Sequence, residues 1–188
     1  MEQLDSMPDV APGQQTRQDN LFEEAFAIYG AALERLARAY EAEREARRDL
    51  LQEIHIALWR SFAGFDNRCS LRTWVYRVAH NTAASHVNRQ LRMKKQPVVG
   101  LEELTKMPER AEGEEANAGR RHSLDRIFGM IQKLGPLDRQ VMLAYLEGID
   151  AASTAEITGL SARNVATKIH RIKNVLARQF REGGRDGQ

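Results

Sequence analysis

Apolar residues recur at steps of three and four over most of the chain, and that spacing admits helices and little else. Phe22, Phe26, Tyr29, Leu33, Leu36 and Tyr40 form one such stripe, and Leu50, Leu51, Ile54, Leu58 and Trp59 form a second that ends near Gly64. Asp66-Asn67-Arg68-Cys69-Ser70 then supplies turn and capping residues before a third helix, with Leu71, Val75, Val78 and Thr82 inward, that runs to about Arg92. Helical spacing resumes at Leu124, Ile127, Ile131 and Leu134 and breaks at Gly135-Pro136. It continues through Val141, Leu143, Tyr145 and Leu146 to Gly148, a helix C-terminal residue. A chain of 188 residues with 42% hydrophobic content can bury a core. The expected fold class is all-α: two small helical domains joined by a flexible linker, the second containing a helix-turn-helix.

The expected limits follow composition. Residues 1–20 lack apolar periodicity and read as a disordered leader, followed by a helical domain over 21–92. Residues 93–119 hold Pro97, Gly100, Pro108, Gly113 and six acidic side chains, which reads as an acidic flexible linker. A second domain spans 120–182, and 183–188 form a disordered tail.

The net charge of +2 hides two basic blocks: residues 66–95 sum to +6 and residues 161–188 to +5, with −4 over 96–119 between them. Two separated cationic surfaces suit two contacts with one long polyanion; a pair of solvated helix faces is the plainer alternative.

The sharpest local signal lies between Ala151 and His170. A helix-turn-helix needs a small residue where its helices cross, a residue tolerant of positive φ in the turn and an apolar anchor on the second helix; Ala155, Gly159 and Val165 fill those places. Ser161 caps the second helix, whose apolar positions Val165, Ile169, Ile172, Leu176 and Phe180 share a narrow arc. Arg163, Asn164, Thr167, His170, Arg171 and Asn174 take the opposite face, with Lys168 beside them. Arg pairs with guanine, Asn with adenine, and Thr meets the thymine methyl.

Other classes find little support. No apolar run approaches the ~18 residues of a membrane span, and residues 1–20 carry no signal-peptide pattern. The single cysteine, Cys69, makes no intramolecular disulfide and fits a reducing cytoplasm. His55, His80, His86, His122 and His170 do not fall at metal-ligand spacing, and there is no glycine-rich phosphate loop or nucleophile signature. No enzyme activity, cofactor or metal is expected.

Two runs carry a family resemblance. Asp49-Leu50-Leu51-Gln52-Glu53-Ile54-His55-Ile56-Ala57-Leu58-Trp59, then Ser70-Leu71-Arg72-Thr73-Trp74-Val75-Tyr76-Arg77-Val78-Ala79-His80-Asn81, resembles the extracytoplasmic-function (ECF) sigma factors of bacterial RNA polymerase. Asn164-Val165-Ala166-Thr167-Lys168-Ile169-His170-Arg171 is similar to the promoter-reading helix of that family. The resemblance implies a sigma region 2-like domain, a region 4-like domain, and a cytoplasmic protein that directs promoter-specific initiation. The partners it implies are core polymerase (the beta-prime coiled coil and the beta flap), promoter DNA and an anti-sigma factor.

By the same resemblance Asp49, Gln52 and Glu53 contact the core, with Leu50 and Ile54 adding apolar area. Asn67, Arg68, Arg72, Trp74, Arg77, Asn81, Asn88 and Arg89 serve the -10 element and its melting; Ser161, Arg163, Asn164, Thr167, Lys168, His170, Arg171 and Asn174 serve the -35 element. The chain departs from the family pattern at Arg47 and Arg48, where acidic residues are usual, and at Ala152-Ser153-Thr154, where Glu-Glu-Ile is more frequent. The alternative reading is a stand-alone helix-turn-helix regulator with an N-terminal sensing or dimerisation module. A third is a scaffold without a DNA role.

Overall fold

The computed structural model describes residues 12–94 and 119–182, with side chains over 15–93 and 126–179. The linker residues 95–118 and the tail 183–188 lie outside the described residues. The described elements are α1 (Pro12–Tyr40), α2 (Arg44–Ser61) with a short 3-10 turn at Phe62–Gly64, α3 (Leu71–Lys94), α4 (Gly119–Lys133), α5 (Pro136–Leu146), α6 (Ala151–Thr158) and α7 (Ala162–Glu182). No strand occurs among the described residues, in keeping with an all-α class.

The first departure from expectation is at the N-terminus. Residues 12–20, expected as leader, are the first turns of α1, which opens on Pro12, a residue whose fixed φ suits a helix start. The reason is tertiary and invisible to periodicity. Gln18 is buried and donates to the Trp59 carbonyl (2.6 Å), Trp59 Nε1 donates to Asp19 (2.8 Å), and Arg17 donates to the Phe65 carbonyl (3.2 Å). Polar side chains of α1 thus tie it to the end of α2.

Helix α2 buries Leu50, Ile54 and Leu58, one face at four-residue steps. Helix α1 buries mainly small residues, Ala25, Ala32, Ala37 and Ala39 with Leu33 and Leu36, while Phe26 turns outward at 53% exposure. Helix α3 lies between α1/α2 on one side and α5/α6 on the other. It is buried on more than one face and carries small and polar residues inward: Thr73, Ala79, His80 and Ala83 beside Val75, Tyr76 and Val87.

The two modules pack against each other. Ile131, Leu143, Ala144, Ile149 and Ile157 of the C-terminal half enter the same apolar cluster as Leu33, Leu50, Ile54 and Val75. A smaller cluster of Leu134, Val141, Met142, Val165 and Ile172 holds the C-terminal helices to one another. Arg139, 5% exposed, donates from α5 to the Tyr40 carbonyl at the end of α1.

At the middle of this core Tyr40 Oη and His80 Nδ1 are 3.1 Å apart, both side chains buried. Burial pushes the His80 pKa down to about 3 and the Tyr40 pKa up, so both are neutral; a phenol proton donated to Nδ1 leaves the imidazole proton on Nε2. The folded pKa is depressed, so the contribution of His80 is complete above its unfolded pKa near 6.5 and shrinks as pH falls toward 3. Lowering pH from 7 to 5 is expected to cost roughly 2 kcal/mol through His80 alone. Urea midpoints of the parent and of His80→Gln at the two pH values check this: the variant is expected to lose most of the pH dependence, and parallel profiles would refute it.

Candidate nucleic-acid interface

The helix-turn-helix forms as its residue types require. Asp150 caps α6, accepting from the Ala152 and Ser153 N–H groups at 2.9 Å and from the Ser153 hydroxyl at 2.8 Å; these bonds hold its carboxyl below the usual range. Gly159 adopts φ 75°, the left-handed conformation that glycine enters without a Cβ penalty, and returns its N–H to Ala155. The Ser161 hydroxyl accepts from the Asn164 N–H at 3.2 Å. Val165 and Ile172 are fully buried. Thr154 and Ile157 are buried too, so the unusual Ala152-Ser153-Thr154 stretch is compatible with a well-packed α6.

With that face inward, α7 exposes Arg163, Asn164, Thr167, His170, Arg171 and Asn174 together. The Thr167 hydroxyl donates to the Arg163 carbonyl (3.0 Å), and Asn174 Nδ2 lies 3.1 Å from His170 Nε2. Lys168 departs from the expected set: its Nζ is 2.6 Å from Asp138 Oδ1 of α5, an ion pair that joins two helices of the same module.

The expected -10 residues are more divided. Asn67 stands in the loop before α3 at φ 62°, exposed, in a conformation Asn tolerates better than most residues. Arg68, 89% exposed, pairs with Asp66 at 2.8 Å. Asn81 and Asn88 are exposed on α3. Trp74 is not displayed to a strand: its ring packs 5.3 Å from Phe65 and its Nε1 donates to the Ser61 hydroxyl at 3.0 Å. Arg89 is held by Glu53 through bonds of 2.8 and 2.9 Å. Residues expected to face two different partners, DNA and the core, thus satisfy each other across α2 and α3.

On α2, Leu50 and Ile54 are fully buried and offer no apolar area to a partner. Asp49 and Gln52 are exposed, and the apolar residue exposed on their stripe is Ile56, at 43%. This follows from helix geometry, in which positions 45, 49, 52 and 56 share a face turned well away from 50, 54 and 58.

Sequence reasoning missed the acids that meet the α3 cations. Helix α5 ends in a Schellman turn: Gly148 (φ 67°) donates to the Tyr145 carbonyl and Ile149 to that of Ala144. The turn leaves Glu147 as its cap residue, facing the first module. Its carboxylate accepts from Arg35 at 2.9 and 2.8 Å and from the Tyr76 hydroxyl at 3.2 Å, while its carbonyl accepts from Arg72. Arg77 lies 3.6 Å from Glu156 of α6. The glycine after the helix was the one available sequence signal; the acid before it carried none.

Comparison with known proteins gives two family matches: Sigma-70 region 2 over residues 25–93 and Sigma-70, region 4 over residues 124–176. The ECF RNA polymerase sigma factor SigW of Bacillus subtilis is 29% identical over 167 residues, 82% of this chain and 83% of its own. The RNA polymerase sigma factor CnrH of Cupriavidus metallidurans is 25% identical over 163 residues, 83% of this chain and 84% of its own. The structure of CnrH in complex with the cytosolic domain of CnrY superposes with a TM-score of 0.64 at 19% identity, covering 90% of this chain and 94% of that one. The sigma factor RpoE of Bartonella quintana, solved with the anti-sigma factor NepR, gives 0.64 at 16% identity, covering 85% and 96%. At those identities the structures speak for the fold.

Proposed function

The chain belongs to the sigma-70 family as an RNA polymerase sigma factor of the extracytoplasmic-function type, and from that premise we propose how its surfaces divide the work. The exposed α2 stripe of Asp49, Gln52 and Ile56 meets core polymerase. Asn67, Arg68, Asn81 and Asn88, with Arg72 and Arg77 once released, serve the -10 element. The outer face of α7 reads the -35 element. The chain supplies recognition in the cytoplasm, where the polymerase carries out bond formation. Among the described residues no helix is long and apolar enough to cross a membrane. A further partner is an anti-sigma factor, the kind of protein that accompanies RpoE in its solved complex.

The observation that carries the reading is the outer face of α7: Arg163, Asn164, Thr167, His170 and Arg171 are exposed together beyond a capped turn. One amide and two guanidiniums so placed match purine edges in a major groove, and cations further along suit phosphates. A self-sufficient regulator accounts poorly for a second basic block of +6 over residues 66–95, which a strand-opening module needs.

The test is reconstitution. The full chain mixed with sigma-free core polymerase is expected to co-migrate on gel filtration and to direct initiation from promoters selected with the holoenzyme. Tight operator binding by the chain alone, with no initiation conferred, would refute the reading. Arg171→Ala is expected to weaken promoter binding by about 1–3 kcal/mol and to relax base preference at one position. Equal losses on every sequence, measured by titrating base variants, would make Arg171 a phosphate contact.

A further inference from the structure

None of the promoter-facing side chains uses the groove that runs between α1 and α2 and is lined also by Phe128 of α4. It is open, has a volume of about 860 Å³, and is lined on the α2 side by Arg44, Arg47, Arg48 and Leu51. These four share a helix stripe distinct from that of Asp49 and Gln52. Among the described residues the side chains of Arg44, Arg47 and Arg48 have no ion-pair or hydrogen-bond partner, although one lining carboxylate, Glu34, stands across from them. Unlike them, Arg35 is taken by Glu147 and Arg38 lies over the Phe128 ring at 5.0 Å.

Charge alone would suit a phosphate, but the line of the groove continues into apolar surface. One turn beyond Leu51 is His55, and against it, 5.4 Å between ring centroids, stands Phe26, a large aromatic at 53% exposure. Cations at one end and an exposed aromatic at the other describe an amphipathic polypeptide, whose apolar side chains gain from Leu51 and Phe26 what a phosphate cannot. We propose that the α1/α2 groove docks an acidic amphipathic segment of a partner protein, its carboxylates over Arg44, Arg47 and Arg48 and its apolar side chains along Leu51 and Phe26. This stands on surfaces the promoter reading does not use.

The probe is a labelled synthetic amphipathic helix with glutamates on one flank and leucines on the other, titrated with the full chain by fluorescence anisotropy. The wild type is expected to bind saturably, and R44E/R47E/R48E to bind at least roughly tenfold more weakly. The corresponding triple lysine variant should recover part of the loss, and Phe26→Ala should weaken binding with the cations intact. Arg44, Arg48 and Phe26 are exposed and Arg47 is half-buried at the surface, so all variants should keep the parent's helicity, which circular dichroism checks. Equal binding by wild type and R44E/R47E/R48E, or no binding by either, overturns the proposal. Inorganic polyphosphate that displaces the peptide, together with peptide binding unchanged in Phe26→Ala, replaces it with a phosphate site. Binding that emerges only when Glu102, Glu103, Glu109, Glu112, Glu114 and Glu115 are changed to glutamine assigns the groove to the chain's own linker and overturns it as well.

Discussion

Arg139→Met is expected to lower the stability of the chain by about 3 kcal/mol, visible as a fall in urea midpoint at constant slope. Arg139 sits on α5, 5% exposed, with Nη1 donating to the Tyr40 carbonyl (3.2 Å) and Nη2 to those of Leu134 (3.1 Å) and Gln132. Its guanidinium also lies over the Tyr40 ring at 5.2 Å. All three carbonyls belong to the ends of α1 and α4, where a helix has no donors of its own left. One side chain therefore closes two helix termini and pins the second module to the first. Burial pushes its pKa below the ordinary arginine value, but a guanidinium remains charged at any working pH.

Replacing a buried ion pair with hydrophobes is often neutral, because two desolvated charges leave together. Here only the cation leaves, and two buried carbonyls and one part-buried carbonyl stay behind at roughly 1–3 kcal/mol each, partly offset by the relief of guanidinium desolvation. The offset sets the expected value at the low end of their sum. A loss under about 1 kcal/mol would mean that the three bonds contribute nothing net.

How much of this was legible in the sequence depends on whether a residue's role is local. Gly159 at the turn, Ser161 at the cap and Val165 on the inner face each act within a few residues, and all three stand where spacing puts them. The family resemblance carried the order of the two modules, and the region 2 and region 4 matches agree with it. Arg139, Glu147 and Arg89 are different. Each is a charged residue with a partner 36 to 112 positions away, and nothing in a one-dimensional pattern separates a cation bound for phosphate from one bound for a carboxylate of the same chain. The same blindness placed Leu50 and Ile54 on a partner surface. A run of residues marks a helix, but which of its stripes is buried depends on the helices packed against it. The helical start of α1 failed for a related reason, since Gln18 is polar and yet buried, held by a carbonyl of another helix.

Glu147→Lys is expected to shift the equilibrium between the docked and separated modules about a hundredfold toward separation. Glu147 is the side chain through which the end of α5 grips the first module, paired with Arg35 and bonded to the Tyr76 hydroxyl. Arg35 is 53% exposed, so solvent screening holds that pair to about 1 kcal/mol, and the partly buried phenol bond adds about as much. Lysine at that position would set a cation beside Arg35 and Arg72, a like-charge contact of about another 1 kcal/mol, for a total near 3. Reversing the pair with Arg35→Glu in the same chain should restore part of the docking, a coupling no unrelated loss of stability would show.

Dyes on cysteines introduced at the exposed Asn88 and Asn174, in a Cys69→Ser background, report the distance between α3 and α7. The parent is expected to give a shorter mean distance than the variant, and one that lengthens more as salt is raised. Separation also frees Arg72, whose guanidinium donates to the Glu147 carbonyl, and exposes Arg77 once Glu156 withdraws. Both are cations assigned above to the -10 element, and on that proposal Glu147→Lys should reach the melted promoter faster with core polymerase, read by permanganate reactivity of unpaired thymines. An unchanged distance in the variant would remove Glu147 as the latch. A lengthened distance with unaltered opening rates would show that the docked arrangement of free protein sets no barrier to initiation, because core polymerase pulls the modules apart at little cost.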